Sequence, residues 1–280
     1  LGDVYKRQHD ELNKKIIFKN VKFNVLDKTL LSLPKFSYPD FTVKRQSGFL
    51  MPSYSYSNFY GHAIKTPYIY ILDNSSDLTV SPFITTKQGP LFDFEYRKKT
   101  ENGGDIYFNP NFIYQADPSS VAPGNEKLRA SIKTHGVMPI NSNFEWGWDA
   151  TFASDETYMR KYSLDGRTKY NSNIYIEGLK GQNYLNIAAI NYKNLLNETE
   201  TPQATLLPRI DHQYNFNLPS LKNLSFENNI VNVHRASGDE QIRLTSEIKW
   251  DERYISDNAV SYTHLRAHET SLHLVCRLLL

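Results

Sequence analysis

The chain has 280 residues, a formal net charge of +2, 19 tyrosines and 15 phenylalanines. None of its apolar runs approaches the roughly 20 residues that a membrane-spanning helix needs, so the sequence predicts no such helix in these residues. A mean hydropathy of −0.54 combined with abundant aromatic residues fits two classes of protein, which composition does not separate: a membrane β-barrel with a polar lumen and a soluble all-β protein.

The two ends of the chain are predicted to be artefacts of DNA sequencing. Residues 1–8 can be encoded by a DNA string whose reverse complement, read from its third base, encodes residues 260–266. One inverted element therefore accounts for both ends. It resembles a transposase-type sequencing adaptor, and residues 274–280 resemble its continuation. We exclude residues 1–8 and 260–280 from the fold prediction, as we would an expression scar.

This exclusion changes the composition that bears on function. The two end segments carry four of the 32 basic residues and two of the 30 acidic residues, so the remaining chain has no formal net charge. A balanced charge gives no reason to expect a nucleic-acid partner. Cys276, the only cysteine, also lies in the excluded part. The remaining chain therefore has no thiol nucleophile and no thiolate metal ligand.

The N-terminal segment of the remaining chain differs from the rest. Residues 15–26 alternate apolar side chains with lysines, and residues 30–40 form a second apolar stretch that contains two prolines. Alternation with a period of two is typical of a β-strand that has one face in water. We predict that residues 9–43 end a separate, water-exposed β domain and that residues 39–46 join it to the rest.

The chain after this joint is predicted to be strand after strand. Apolar and polar residues alternate in residues 92–97, 105–114, 128–133 and 144–152, and helical periodicity is nearly absent. Each of these strands therefore has one face rich in aromatic residues and one strongly polar face. A soluble sandwich and a membrane barrel both produce such alternation.

The connections and strand lengths favour the barrel. Short turn clusters at residues 73–77 and 180–182 alternate with longer connections at residues 115–127 and 155–173, as turns and loops do at the two ends of a barrel. The strands run about 9–12 residues, as tilted membrane strands do, whereas the usual strand has about 5–6. We predict an all-β antiparallel meander of roughly ten strands, forming part of a large transmembrane outer-membrane β-barrel.

No constellation of catalytic or metal-binding residues is visible in the sequence. Outside the excluded ends, the histidines of the predicted strands lie far apart and without the spacing of a metal site: His62, His135, His212 and His234. Carboxylates such as Glu145 and Asp149 share a strand face and could bind Ca²⁺, but the same pattern is typical of a solvated lumen. We predict no catalytic residue, no metal and no cofactor.

One stretch of the chain resembles a known family. Residues 33–54 run Leu-Pro-x-Phe-x-Tyr-Pro-Asp-x-Thr-Val-Lys-Arg-x-Ser-Gly-Phe-Leu-x-Pro-Ser-Tyr. This pattern resembles the lipopolysaccharide (LPS) assembly family of outer-membrane proteins, called LptD, Imp or OstA. Residues 66–70, 77–83 and 92–97 resemble the next barrel strands of that family.

The resemblance implies an architecture and a function. Members of the family have a periplasmic β-jellyroll, which continues a bridge made by the protein LptA, and a very large barrel with the lipoprotein LptE as a plug. Residues 9–43 would then be the end of the jellyroll, and residues 44–259 the N-terminal portion of the barrel. The implied function is transport of LPS and its insertion into the outer leaflet of the bacterial outer membrane, without enzymatic activity.

The resemblance also implies functional positions. Pro52 and Pro67 fall where the family has prolines in its first two barrel strands, beside a lateral gate between the first and last strands. Proline has no N–H to give to a ladder, and water cannot replace a missing bond inside a bilayer. The motif of the first strand has four residues: Ser47, Gly48, Phe49 and Leu50.

Lys44 and Arg45 lie immediately before this motif. Their charges could contact the phosphates of lipid A, and they could equally be ordinary charges at the rim of the barrel. The overall prediction keeps two alternatives open. One is another outer-membrane barrel, such as a porin or a receptor. The other is a soluble carbohydrate-binding or hydrolytic β protein.

Overall fold

The computed structural model describes residues 7–10, 15–25, 28–39, 45–121, 123–195, 204–216, 224–235, 239–255, 261–266 and 272–276. Over these residues the chain is built almost entirely from antiparallel strands, with one short helix, α1 (Tyr158–Lys161). The predicted all-β fold is confirmed. In this part of the chain, no helix has the length and apolar character needed to cross a membrane.

The N-terminal strands form a sheet of their own. β1 (Arg7–Asp10), β2 (Lys15–Val25) and β3 (Lys28–Pro39) pair in sequence order as an antiparallel three-stranded sheet. The strands predicted in residues 15–26 and 30–40 are therefore present, apart from residues 26 and 40, which lie outside the described residues. That this sheet ends a jellyroll stays a prediction.

The second sheet contains the sixteen remaining strands of the described chain. Their bounds are β4 Gly48–Phe49, β5 Ser53–Ser57, β6 Gly61–Lys65, β7 Tyr68–Ile71, β8 Ser76–Thr85, β9 Gly89–Lys99, β10 Asp105–Tyr114, β11 Leu128–Pro139, β12 Phe144–Ala153, β13 Lys169–Lys180, β14 Asn183–Asn194, β15 Ala204–Phe216, β16 Leu224–Arg235, β17 Gln241–Ile255, β18 Ser261–Arg266 and β19 Leu272–Cys276. From β8 to β17 each strand pairs with its neighbours in sequence, which makes the predicted antiparallel meander.

The first two strands of this meander are interrupted. β4 pairs with β7 and β5 pairs with β6, so β4 with β5, and β7 with β6, are the halves of two longer strands. Counting each interrupted strand once, the fourteen segments from β4 to β17 in the described chain make twelve strands, against the roughly ten predicted. β18 and β19 both pair with β17 and fall in residues 260–280. The artefact at each end stays a prediction.

The two faces of the second sheet differ sharply. The apolar face carries Phe108, Phe112, Ile132, Trp146 and Phe152. Phe112 is paired with Ala130, which lies two residues from Ile132 and therefore on the same face, and Ile132 is in turn paired with Phe152. Many of them are exposed, for example Phe112 at 43% and Phe152 at 59%. A sandwich would cover this face with a second layer. Over the described residues it is instead left open, as predicted for a barrel. Closure of the sheet stays a prediction.

The polar face is held together by ion pairs and amide hydrogen bonds between strands. Lys65 Nζ lies 2.7 Å from Asp93 Oδ2, and Asn109 Nδ2 donates to the other oxygen of Asp93 at 2.7 Å. Ser131 donates to Asn111 Oδ1 at 2.8 Å. Charged and amide side chains from successive strands therefore meet one another on the face opposite the aromatic residues.

The connections differ in length between the two ends of the sheet. Residues 72–75, 100–104, 140–143 and 181–182 connect strands at one end. The opposite end has the short connections 58–60 and 86–88 together with the long connections 115–127 and 154–168. We call these the short-turn end and the long-loop end. The predicted alternation between short and long connections is therefore present from β9 to β14.

The best buried residues lie at the long-loop end. Leu91 and Ile113, on the polar face, are 0% exposed, as is Tyr158 of α1. Tyr158 donates its hydroxyl hydrogen to Asn111 Oδ1 at 2.8 Å. The connection that contains α1 therefore folds back over the polar face, covers β10 and β11, and forms the only sizeable hydrophobic core in the described part of the second sheet.

Candidate functional site

The two prolines predicted at the gate lie at the interruptions of the first two strands. Pro52 lies between β4 and β5, and Pro67 between β6 and β7. The two interruptions face each other, because the amide of Leu50 donates to the carbonyl oxygen of Pro67 at 2.9 Å. The structure thus brings Pro52 and Pro67 to the same level of adjacent strands.

The carbonyl oxygens of Pro67 and Pro82 each accept a backbone hydrogen bond from the adjacent strand, and neither proline can donate one in return. In an antiparallel ladder, a hydrogen-bonded pair of residues exchanges two N–H···O bonds. Leu50 donates to Pro67, and Thr66 donates to Pro82 of β8 at 3.1 Å. Because proline has no N–H, each pair keeps one of its two bonds. The ladder is therefore weakened at one level across three adjacent strands.

The register adds a further irregularity beside Pro52. Phe49 pairs with Tyr68, whereas Ser53 pairs with Lys65. The first strand thus advances four residues while the second advances three, so one extra residue lies in the first strand. This is the residue count of a β-bulge, which breaks the ladder locally and bends the strand. The side chain of Met51, at this bulge, is 87% exposed.

The first-strand motif anchors the short-turn half of the first strand. Gly48 and Phe49 form β4, and Ser47 Oγ accepts a hydrogen bond from the amide of Ile71 at 2.8 Å. The ring of Phe49 packs edge-on against Tyr68 at 4.9 Å. The motif therefore holds the start of the first strand on β7, immediately next to the weakened level.

Arg45 is engaged with the neighbouring turn. Its Nη2 lies 2.6 Å from Asp77 Oδ2, and its Nη1 donates to the carbonyl oxygen of Asn74. Asp77 also accepts from Arg97 Nε at 2.8 Å. Arg45 thus ties the beginning of the sheet to the short-turn end. Lys44 lies outside the described residues. Contact of either residue with lipid A phosphates stays a prediction.

The turn that Arg45 contacts is itself well ordered by hydrogen bonds. Asp73 accepts from the hydroxyl and amide of Ser76 and from those of Ser75, at 2.6–2.8 Å. The hydroxyl of Ser76 is the main cause that holds the pKa of Asp73 far below its usual value, followed by the groups of Ser75. The four hydrogen bonds to the Asp73 carboxylate therefore fix this turn.

The histidines are dispersed, as predicted. His62 contacts Tyr54 Oη at 2.6 Å, His135 stacks on Tyr107 at 4.6 Å, and His234 contacts Glu240 at 2.7 Å. Over the described residues, no group of three or more histidine, cysteine, aspartate or glutamate side chains is arranged to hold a metal ion. Glu145 and Asp149 lie on β12 among the polar-face residues.

Sequence reasoning missed Pro82 and Arg129. The sequence pattern places Pro82 only within a strand, although Pro52, Pro67 and Pro82 recur at intervals of 15 residues. That interval could have indicated prolines at one level of successive strands. Arg129 belongs to an alternating strand, and no local signal distinguishes it from other charged residues on that face. Its partners come from connections that meet it only in the folded chain.

Comparison with known proteins gives the family of the chain. The family model of LPS transport system D, LptD, matches residues 127–274, more than half of the chain. The match extends into residues 260–280. A protein of Psychrobacter arcticus called LPS-assembly protein LptD is 26% identical over 218 residues, which is 73% of this chain and 23% of that protein.

Two further relatives bear the same name. That of Idiomarina loihiensis is 26% identical over 210 residues, covering 70% of this chain and 25% of the relative. That of Ectopseudomonas mendocina is 28% identical over 200 residues, covering 67% and 21%. The chain thus spans about a quarter or less of the length of these relatives. Because the family model matches more than half of the residues, the chain belongs to the LPS transport system D (LptD) family.

Proposed function

We propose that the protein carries LPS to the outer leaflet of the bacterial outer membrane through a β-barrel of which this chain is the N-terminal portion. The main support for this proposal is the second sheet, which has an exposed apolar face and a polar face with ion pairs. In a bilayer, the apolar face lies against hydrocarbon and the polar face lines a water-filled lumen. LPS has acyl chains and charged sugars, so its passage needs both environments and no chemical step. The protein is a transporter and not an enzyme.

The connections orient the barrel. The three-stranded sheet of β1–β3 precedes Arg45, which contacts the short-turn end of the second sheet. Short turns of outer-membrane barrels face the periplasm and long loops face outward. In this orientation residues 9–43, which hold β2, β3 and the last two residues of β1, end a periplasmic jellyroll on which LptA docks. LptE occupies the lumen against the polar face of residues 44–259.

The weakened first strands provide the lateral gate. β4 and β5 pair only with β7 and β6 among the described strands, so they lie at the edge of the sheet. A typical backbone hydrogen bond contributes about 0.5–1.5 kcal/mol net, and in hydrocarbon no water replaces a lost one. The one-sided pairs at Pro67 and Pro82 and the bulge beside Pro52 therefore make the edge easier to open. The acyl chains of LPS leave sideways through this edge.

The gate is tested by restoring the backbone N–H donors that the prolines lack. Pro52 and Pro67 are replaced together by valine in the intact protein that contains this chain, and surface LPS is measured on whole cells at matched protein levels. We expect surface LPS to fall, because the edge opens less readily. Pro110→Val, on the apolar face of β10, is the matched control and should leave surface LPS unchanged. Undiminished surface LPS in the double variant would contradict the gate.

The membrane location has its own test. The apolar face is exposed over many strands, so the intact protein should need detergent to stay in solution. It should also show folded and unfolded bands that migrate differently on gels with and without heating. A protein that is soluble without detergent would support the soluble β-protein alternative and contradict the proposal.

A further inference from the structure

A cavity of about 480 Å³ lies at the long-loop end of the second sheet, where four connections meet. Its lining comes from the connections 58–60, 86–88, 115–127 and 154–168, and from the beginning of β11. The side chains that give the cavity its chemical character are Phe59, Lys87, Gln88, Asp117, Arg129 and Lys161. None of them has a part in the proposed gate.

The base of the cavity is fixed by a buried arginine. Arg129 is 1% exposed, and its Nε and Nη2 bind both oxygens of Asp155 at 2.7 Å. It also donates to Thr157 Oγ1 at 2.8 Å and lies 5.2 Å from the centre of the Tyr158 ring. A paired guanidinium packed on an aromatic ring has little freedom to move. The base is therefore preorganised before any ligand arrives.

Two ammonium groups stand at the wall. Lys87 Nζ donates to the carbonyl oxygen of Asn58 at 2.9 Å, and Lys161 Nζ lies 5.2 Å from the centre of the Phe59 ring. An ammonium group has three N–H donors, and one such contact does not use them all. Both lysine side chains are exposed. They can therefore bind an anionic group without losing the contacts that position them.

A buried hydrogen-bond acceptor lies unused at the same place. Gln88 is 2% exposed, and its Nε2 donates to the carbonyl oxygen of Phe59 at 3.4 Å. Its Oε1 accepts no hydrogen bond from the residues that the structure describes. An unsatisfied buried acceptor costs about 1–3 kcal/mol, and a rotation of the Gln88 side chain that brings Oε1 to a ligand hydroxyl would relieve this cost. The carboxylate of Asp117, which is exposed, offers a second acceptor.

We infer that this cavity binds an acidic saccharide, a sugar that carries a carboxylate or phosphate group. The lysines bind the anionic group, and Gln88 and Asp117 accept hydrogen bonds from hydroxyl groups. Inorganic phosphate has at most two hydroxyl groups, both on its charged atom, and so makes fewer of these contacts than an acidic sugar, whereas a neutral sugar would leave the lysines unused. The inference rests on the proposed function in one respect: it takes the saccharide to be part of LPS as it leaves the lumen at the long-loop end.

The test measures binding to the intact, detergent-solubilised protein by calorimetry. The probes are D-glucuronic acid, D-glucose 6-phosphate, D-glucose and inorganic phosphate. We expect the two acidic sugars to bind and the neutral sugar and phosphate to bind at least about tenfold more weakly, since each can make only part of the contacts. Equal binding of inorganic phosphate and D-glucose 6-phosphate would overturn the saccharide assignment. Failure of both acidic sugars to bind would overturn the site.

Variants locate the site and separate it from the export function. Lys87→Gln with Lys161→Gln should weaken binding of the acidic sugars about tenfold or more, whereas Lys99→Gln with Lys180→Gln, at the short-turn end, should not. Equal loss in both pairs would overturn the location. Purified LPS that competes with D-glucuronic acid supports LPS as the source, and absence of competition overturns it. Surface LPS is measured separately in cells that carry the Pro52 and Pro67 double variant, so an undiminished level there bears on the proposed function and not on this site.

Discussion

The amide of Leu50 donates a hydrogen bond to the carbonyl oxygen of Pro67 at 2.9 Å, and Pro67 has no N–H with which to return it. Thr66 and Pro82 repeat the same one-sided pair on the next strand at 3.1 Å. The consequence is a line of weak pairing that crosses three strands at one level. The edge strand of the sheet is thereby loosened in its middle, while Ser47 and Phe49 hold its beginning.

Pro82→Val is predicted to strengthen the pairing of β8 with the second strand at Thr66, which lies between β6 and β7. Valine supplies the missing donor to the carbonyl of Thr66 and fits a strand well. One added backbone hydrogen bond of about 1 kcal/mol corresponds to about fivefold slower local opening. Hydrogen–deuterium exchange of residues 61–71 should slow by that factor, while residues 169–194 serve as the internal control. Unchanged exchange in residues 61–71 would show that the one-sided pair does not limit opening there.

Arg129→Met is predicted to release the connection that contains α1. The change removes the partner of Asp155 from a buried pair, and breaking such a pair costs about 3–5 kcal/mol. The matched control is Arg167→Met. Arg167 pairs with Asp165 in the same connection at 2.7 Å, but its side chain is 54% exposed, so its loss should cost about 1 kcal/mol or less. Protease cleavage within residues 154–168 measures both, and equal cleavage in the two variants would contradict the prediction.

The same pair predicts a pH dependence at the long-loop end. Burial by itself raises the pKa of Asp155, but hydrogen bonds from Arg129 and Thr157 and the charge of Arg129 outweigh it and lower the pKa to about 2. A carboxylate whose pKa is lower in the folded state stabilises the fold above the unfolded pKa, and this stabilisation is lost as pH falls through the folded pKa.

The connection should therefore keep constant protection above about pH 5 and lose it between about pH 4 and pH 2. Amide exchange of residues 154–168, corrected for the intrinsic pH dependence, measures the change. Asp155→Asn should flatten the profile at a lower level of protection. Because the pKa of Asp165 is also lowered, chiefly by a hydrogen bond from Arg167, Asp165→Asn is the control and should retain most of the pH dependence. An identical profile for wild type and Asp155→Asn would refute the assignment to Asp155.

Three glycines of the second sheet are each covered by an aromatic side chain of the paired residue. Gly136 pairs with Trp148, Gly147 with Tyr175 and Gly178 with Phe144. A Cβ atom built on Gly136 would lie 2.3 Å from the Trp148 ring. In this position the indole N–H of Trp148 donates to Thr134 Oγ1 at 3.0 Å. The ring lies flat over the glycine because nothing projects from that residue.

Gly136→Ala is therefore predicted to displace the Trp148 ring and to destabilise the sheet by about 1–3 kcal/mol, the usual cost of overpacking. The free energy of unfolding in urea and the tryptophan fluorescence of the folded protein are the measurements. Gly166→Ala is the control, since a Cβ atom there would have no heavy atom within 4 Å. A Gly136→Ala protein with unaltered fluorescence and stability would show that the ring has room to move.

The strands were predictable because their signal is local. Alternation in residues 105–114 and 144–152 follows from the two-residue period of a strand, and the structure has β10 and β12 there. Pro52 and Pro67 were assigned to the first two strands by resemblance to the family, and the weakening expected of them follows because proline acts through its own backbone. The interruptions follow from chemistry that each residue carries with it, whatever surrounds the chain.

The core and the cavity were not predictable because their contacts join distant residues. Tyr158 and Asn111 are separated by 47 positions, and neither lies in a pattern that points to the other. Gln88 has an unsatisfied oxygen only because three other connections enclose it. The sequence alone determined which side of each strand is apolar, since side-chain direction alternates along any strand. Only the tertiary structure decided which connections fold over the polar face, because that depends on which side chains can fill the same space together.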